Sequence, residues 1–259
     1  MNVIIIGTGN IARFIGKRLF GTGHTIKQVC GRNAIAAKSL SEEFGASFCD
    51  DLNSIEPGAD IYFLAISDNA LYDLDQHLRL KDELVVHLAG SVRMDVLKNV
   101  SANYGVCWPI QSINDSKEMT SAVPFMINAN NEVSRQKIQM LLNDISDNIS
   151  IGDDDQRLKM HLAAIISNNF VNHLYSLAEL FCQENKLEFK QLLPIIHETA
   201  NRIDNYSPSM LQTGPAIRDD SATIQKHMEL LSSQPELQKL YASITDSIQQ
   251  FYKNKAVSV

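Results

Sequence analysis

The stretch Val3-Ile4-Ile5-Ile6-Gly7-Thr8-Gly9-Asn10-Ile11-Ala12 decides the fold. Four consecutive β-branched residues predict a strand buried on both faces, and such strands belong to parallel sheets covered by helices. The strand runs directly into Gly-x-Gly-x-x-Ala and then into a helix marked by Ile11, Phe14, Ile15 and Leu19, spaced by three and four. In that setting the motif is a dinucleotide fingerprint. Gly7 permits a tight turn, Gly9 lets backbone N–H groups approach a pyrophosphate, Ala12 allows close helix packing, and the helix N-terminus supplies positive potential. The residues expected against the cofactor here are Gly7, Thr8, Gly9, Asn10 and Ile11.

Moving outward, further strand runs fall at Thr25 to Cys30, Ile61 to Ile66, Leu84 to Leu88 and Val123 to Ile127, with helical patterns between them. Ala36, Ala37, Leu40 and Phe44 mark one such helix, with Gly45 as its C-terminal cap. Alternating strands and helices predict an α/β fold with a mostly parallel, Rossmann-like sheet. The second strand ends in Val29-Cys30-Gly31-Arg32-Asn33, where an NAD site places Asp or Glu against the ribose 2′-hydroxyl. No acid is present there, and the Arg32 guanidinium suits a 2′-phosphate, so Arg32 and Asn33 point to NADP(H). After the third of these strands comes Ile66-Ser67-Asp68, at the edge where ribose and nicotinamide would lie. Ser67 and Asp68 are equally suited to cap a helix starting near Ala70.

Eleven of the twelve glycines lie at or before Gly152, and beyond Asp153 the strand signal stops. The expected division is therefore a dinucleotide-binding domain over residues 1–152 and an all-helical domain over residues 153–259 for substrate and dimerisation. Gln156 to Gln183 reads as one helix about 40 Å long at 1.5 Å per residue. Helices from about Glu188 to Tyr206, Asp219 to Ser232 and Pro235 to Tyr252 follow.

Composition narrows the partners. With 23 Lys+Arg against 30 Asp+Glu the net charge is −7, which disfavours a nucleic-acid partner. The longest apolar runs fall far short of the roughly 20 residues needed to cross a membrane, and no basic stretch precedes them, so a cytoplasmic location without membrane association is expected. Cys30, Cys49, Cys107 and Cys182 are scattered without metal-ligand spacing and read as reduced thiols.

Taken together, the glycine loop, Gly31-Arg32-Asn33, Ala65-Ile66-Ser67-Asp68, His87-Leu88-Ala89-Gly90-Ser91, Pro109-Ile110-Gln111-Ser112 and Thr213-Gly214-Pro215-Ala216-Ile217-Arg218-Asp219-Asp220 resemble a bacterial family of NADP oxidoreductases. In that family a Rossmann-like domain precedes a helical domain of unknown function. More distantly the layout is similar to pyrroline-5-carboxylate reductase, ketopantoate reductase and deazaflavin-dependent NADP reductases. The resemblance implies that the helical domain helps to form the substrate site and a homodimer. Trp108 stands where that family often has His, and Arg218-Asp219-Asp220 replaces its Arg-Gly-Asp. The Lys-to-Asn signature of β-hydroxyacid dehydrogenases is missing, because Lys159 is followed four residues later by Ala163.

A nicotinamide-dependent dehydrogenase needs a group to polarise the reacting C=O or C=N and an acid to move a proton. On an unbroken helix His161, Asn168 and Asn172 would share a stripe about 40° wide, on an otherwise apolar surface. Buried polar groups cost about 1–3 kcal/mol each unless paired, so this seam should meet a ligand or a polar partner. His161 is the first candidate for proton transfer and His87 the second. Asn168 and Asn172 would orient substrate, and Arg218 with Asp219 would clamp a carboxylate or else start the following helix. The expected activity is hydride transfer to or from a small carbonyl or imine compound in the cleft between the domains. A non-catalytic NADP(H)-binding regulator and a deazaflavin-NADP reductase are the alternatives.

Overall fold

The computed structural model describes residues 1–114 and 123–257. Along the chain come β1 (Asn2–Ile6), α1 (Asn10–Gly21), β2 (Thr25–Cys30), α2 (Ala34–Glu42), β3 (Ser47–Cys49), β4 (Ile61–Leu64), α3 (Asp68–Tyr72) and β5 (Leu84–His87). They are followed by β6 (Asn103–Pro109), β7 (Phe125–Ala129), α4 (Glu132–Asn143) and β8 (Ile149–Ile151). The eight strands form one sheet in the order β3-β2-β1-β4-β5-β6-β7-β8. Every neighbouring pair is parallel except β6 with β7. This is the expected Rossmann-like sheet.

The apolar run at β1 is buried on both sides because successive side chains face opposite ways. Val3 and Ile5 join a core with Phe63, Val86, Ile15 and Leu40, while Ile4 and Ile6 join a second with Tyr62, Leu64, Val85 and Leu71. Each fully buried Ile contributes about 1.5–3 kcal/mol by leaving water. Gly45 closes α2 as expected, with φ +61 and the Ala46 N–H returned to the Ser41 carbonyl at 3.0 Å.

The chain divides into compact units Met1–Phe170 and Val171–Val259. Helix α5 (Asp154–Ala164), which lies beyond the boundary expected at residue 152, groups with the sheet. Asp153 caps it by accepting from Gln156 N–H at 2.8 Å, and the Gln156 side chain returns the bond to Asp153 N–H at 2.9 Å.

The expected single long helix is interrupted. A π-helical segment, Ile165–Phe170, separates α5 from α6 (Val171–Glu184). In π geometry the hydrogen bonds run from i to i+5, so each residue turns through a smaller angle than in an α-helix. The 100° spacing that aligned His161, Asn168 and Asn172 is therefore broken. Nor is this stretch packed on most sides: Leu162, Ile166 and Phe170 are each more than half exposed.

The second unit continues with α7 (Leu193–Arg202), α8 (Ser221–Leu230) and α9 (Pro235–Val257). Tyr241 of α9 meets His227 Nδ1 of α8 at 2.7 Å, and the Tyr252 hydroxyl donates to the Ser209 carbonyl at 3.0 Å. Among the described residues no helix is long and apolar enough to cross a membrane.

Candidate active site

Strand order reverses between β1 and β4, whose carboxyl ends bound a crevice of the kind that holds dinucleotides. The two loops there touch. Gly7 has φ +127, and a Cβ on it would lie 2.0 Å from the Ala65 carbonyl oxygen, so no other residue fits the turn. Gly9 borders open space, and as the N-cap of α1 it supplies no side chain to the first-turn N–H groups. No acid lies in that turn either. An uncapped helix N-terminus behind a glycine loop fits a pyrophosphate. Asn10 begins the helix, Thr8 is half-buried, and Ile11 packs against the core.

At the end of β2, Gly31 N–H donates to the Cys49 carbonyl at 2.9 Å. A Cβ on Gly31 would meet Thr8 Cγ2 at 2.5 Å, so the turn that carries Arg32 sits directly on the glycine loop. Arg32 is exposed, as a phosphate ligand must be. Asn33 is partly committed elsewhere, because its Oδ1 caps α2 by accepting from Ala36 N–H at 3.1 Å.

Beyond β4, Ile66 packs at the edge of the second core. Ser67 occupies the N-cap position of α3 but makes no side-chain capping bond, so of its two expected roles capping is not the one the structure shows. The Ser91 hydroxyl donates to Asp68 Oδ2 at 2.5 Å, joining the loops that follow β4 and β5.

His161 lies over the β5 loop. Its ring meets Trp108 edge-on, with centroids 5.5 Å apart. A Cβ on Gly90 would come within 2.5 Å of His161 Cδ2 and 2.8 Å of Trp108 Nε1. Half-buried, the imidazole remains accessible to a reactant.

His87 does not suit the second catalytic role. It is fully buried, and its Nδ1 accepts from Ala89 N–H at 3.2 Å. Burial, aided by the positive charge of Arg157, pushes its pKa down to about 3, so it is neutral near pH 7. Asn168 and Asn172 are exposed, and the π-helical segment removes the seam that joined them to His161.

The second unit corrects the reading of Arg218 and Asp219 as a helix start. Helix α8 begins at Ser221, and its cap is Asp220, which accepts from Thr223 N–H at 3.0 Å. Asp219 has φ +50 and accepts from Gln249 Nε2 at 3.1 Å, while Arg218 is exposed.

Sequence reasoning passed over Asp154 and the buried Arg157, and it gave Gly90, Ser91 and Trp108 no part in positioning the imidazole. Gly90 lies three residues beyond the buried strand β5, and a glycine so near a strand end was an available signal.

These features define a Rossmann-like dinucleotide-binding oxidoreductase. Residues 2–90 match the family described as NADP oxidoreductase coenzyme F420-dependent, and residues 123–248 match a domain of unknown function, DUF2520. A Bacteroides fragilis protein described as "putative NADP oxidoreductase" is 33% identical, covering 96% of this chain and 98% of its own, with TM-score 0.89. The chain belongs to this family of NADP oxidoreductases, and NADP(H) is its cofactor. The fold is shared with pyrroline-5-carboxylate reductase of Streptococcus pyogenes, at 13% identity and TM-score 0.62 over 96% of this chain and 98% of that one. It is also shared with a reductive aminase of Aspergillus terreus in complex with NADPH and ethyl-5-oxohexanoate, at 14% identity and TM-score 0.64 over 99% and 94%. No curated protein matches the sequence.

Proposed function

We propose that the protein moves a hydride between NADP(H) and a small carbonyl or imine compound, in the cytoplasm. The observation that carries this reading is the His161 imidazole over Gly90, at the carboxyl end of the strand beside β4. When bound, the nicotinamide supplies or accepts the hydride. The Gly7 to Gly9 loop and the α1 N-terminus hold the pyrophosphate, Arg32 and Asn33 hold the 2′-phosphate side, and Ile66, Ser67 and Asp68 border the ribose and nicotinamide. His161 holds the proton that the substrate heteroatom takes up or releases. Asn168, Asn172, Arg218 and Asp219 are exposed and remain the candidates for orienting the substrate.

The neighbouring folds support the substrate class. One is a reductive aminase whose structure carries a keto ester, and another is an imine reductase from Bacillus cereus. The apolar, exposed Leu162, Ile166 and Phe170 support association with a second copy of the chain.

NADPH deuterated at the nicotinamide C4, incubated with a panel of small ketones, aldehydes and cyclic imines, tests the reaction. Deuterium on the former carbonyl or imine carbon of a product is expected. Label that passes only to a deazaflavin would replace this reading by the deazaflavin-reductase one. Tight NADPH binding with no transfer to any acceptor favours the non-catalytic one.

A further inference from the structure

The helix that carries His161 is anchored by a charge the proposed chemistry does not use. Arg157 lies one turn earlier on α5 and is only 1% exposed. Its Nη2 donates to the Val92 carbonyl and, at 2.7 Å, to Asp154 Oδ1. Asp154 in turn accepts from Met94 N–H, at 3.1 and 3.2 Å to its two oxygens. Guanidinium and carboxylate thus grip the backbone of Val92 and Met94, immediately after Gly90-Ser91. The other side of that loop is held by the bond from Ser91 to Asp68.

The arrangement is poorly suited to stability alone. Arg157 Nε and Nη1 are buried without hydrogen-bond partners, and a buried ion pair often costs as much in desolvation as it returns. What the pair does set is position. Residues four apart on an α-helix share a face, so the face that sinks Arg157 into the loop is the one that brings His161 over Gly90.

We propose that Arg157 is a positioning residue for the nicotinamide end of the site: by tying α5 to the backbone after Gly90-Ser91, it fixes the His161 ring over that loop. The inference rests on the proposed reading that His161 meets the nicotinamide side, and it adds a determinant of that site outside the cofactor and substrate contacts.

Calorimetry with NADPH and with adenosine 2′,5′-bisphosphate, which lacks the nicotinamide half, separates the possibilities. The variants are Arg157→Lys, which keeps the charge without the planar fork, and the double variant Asp154→Asn/Arg157→Met, which removes both charges and so leaves neither unpaired. Both should release the Gly90-Ser91 backbone from its place beside the nicotinamide and so weaken NADPH roughly tenfold, the scale of one charge-assisted hydrogen bond, while the fragment binds as it does to the wild type. In parallel, the NADP⁺-induced shift of the His161 ring proton resonances should be present in the wild type and reduced in both variants.

A merely structural role would lower the melting temperature and leave both the NADPH-to-fragment affinity ratio and the His161 response at wild-type values. That result in the double variant overturns the proposal, even if Arg157→Lys fails to fold. A wild-type protein that binds NADPH no better than the fragment, with no His161 response, fails differently. It removes the proposed placement of the nicotinamide and this inference with it.

Discussion

The His161 imidazole and the Trp108 indole meet edge-on, with centroids 5.5 Å apart and planes at 66°. Both rings rest where a Cβ on Gly90 would stand. Trp108 is 7% exposed and held in β6, whereas His161 is half-buried, so the histidine is the group that gives way to an added methyl. Gly90→Ala should therefore lower turnover by about tenfold to a hundredfold, the effect of displacing a reacting group by about an ångström. Affinity for adenosine 2′,5′-bisphosphate should be unchanged. Steady-state kinetics and calorimetry on the same preparation check this, and full turnover in the variant would contradict the placement.

On the proposed reading Arg32 sets the cofactor choice. Replacing it by Ala should cost about 1–3 kcal/mol of NADPH binding and leave NADH binding nearly unchanged, as expected for a charge-assisted hydrogen bond to a 2′-phosphate. Titration calorimetry with both cofactors decides it. Equal losses would mean that Arg32 does not touch the phosphate.

Buried His87 gives the fold a measurable acid sensitivity. Its pKa falls from the ordinary 6.5 to about 3, through burial first and the Arg157 charge second. The unfolded chain takes up this proton below its ordinary pKa while the native chain stays neutral. The stabilisation is therefore full above 6.5 and is lost as the pH falls toward 3. The slope from this one group reaches about 1.4 kcal/mol per pH unit. Urea midpoints measured from about pH 7 down to about pH 4 should fall more steeply for the wild type than for His87→Gln. Equal slopes would show that His87 is not buried and neutral.

Leu162 and Ile166 are 56% and 53% exposed, and with Phe170 they form apolar surface near the end of α5. Light scattering at micromolar concentration should give twice the 28.9 kDa chain mass. Leu162→Asp/Ile166→Asp should give the single mass. A wild-type monomer would rule out the proposed self-association.

The sheet was legible wherever strands are unbroken β-branched runs, as at Val3 to Ile6 and Ile61 to Leu64. Strand β6 was hidden because Gly105 and Pro109 interrupt its apolar pattern, and its burial is decided by pairing with β5 and β7 rather than by local preference. Strand β8 has only three residues, too few to show a period. In the site, the glycine turn was readable because spacing carries it, and NADP(H) was expected from the charge at Arg32 where an NAD site places an acid. The π-helical segment has no comparable local mark, so the expected alignment of His161 with Asn168 failed there. Nothing in the sequence singled out Arg157. Only the tertiary fold, which brings Val92 to it, does so.

The most direct test of the account is His161→Ala, measured for NADPH affinity, melting temperature and turnover on an accepted carbonyl or imine substrate. NADPH affinity should stay nearly intact, because on the proposed reading the pyrophosphate and 2′-phosphate ends rest on Gly7, Gly9 and Arg32 rather than on His161. Turnover should fall by about 10²–10⁴, the range for loss of a general acid or base. A lowered melting temperature with unchanged turnover per folded molecule would contradict the account and leave His161 as a structural partner of Trp108.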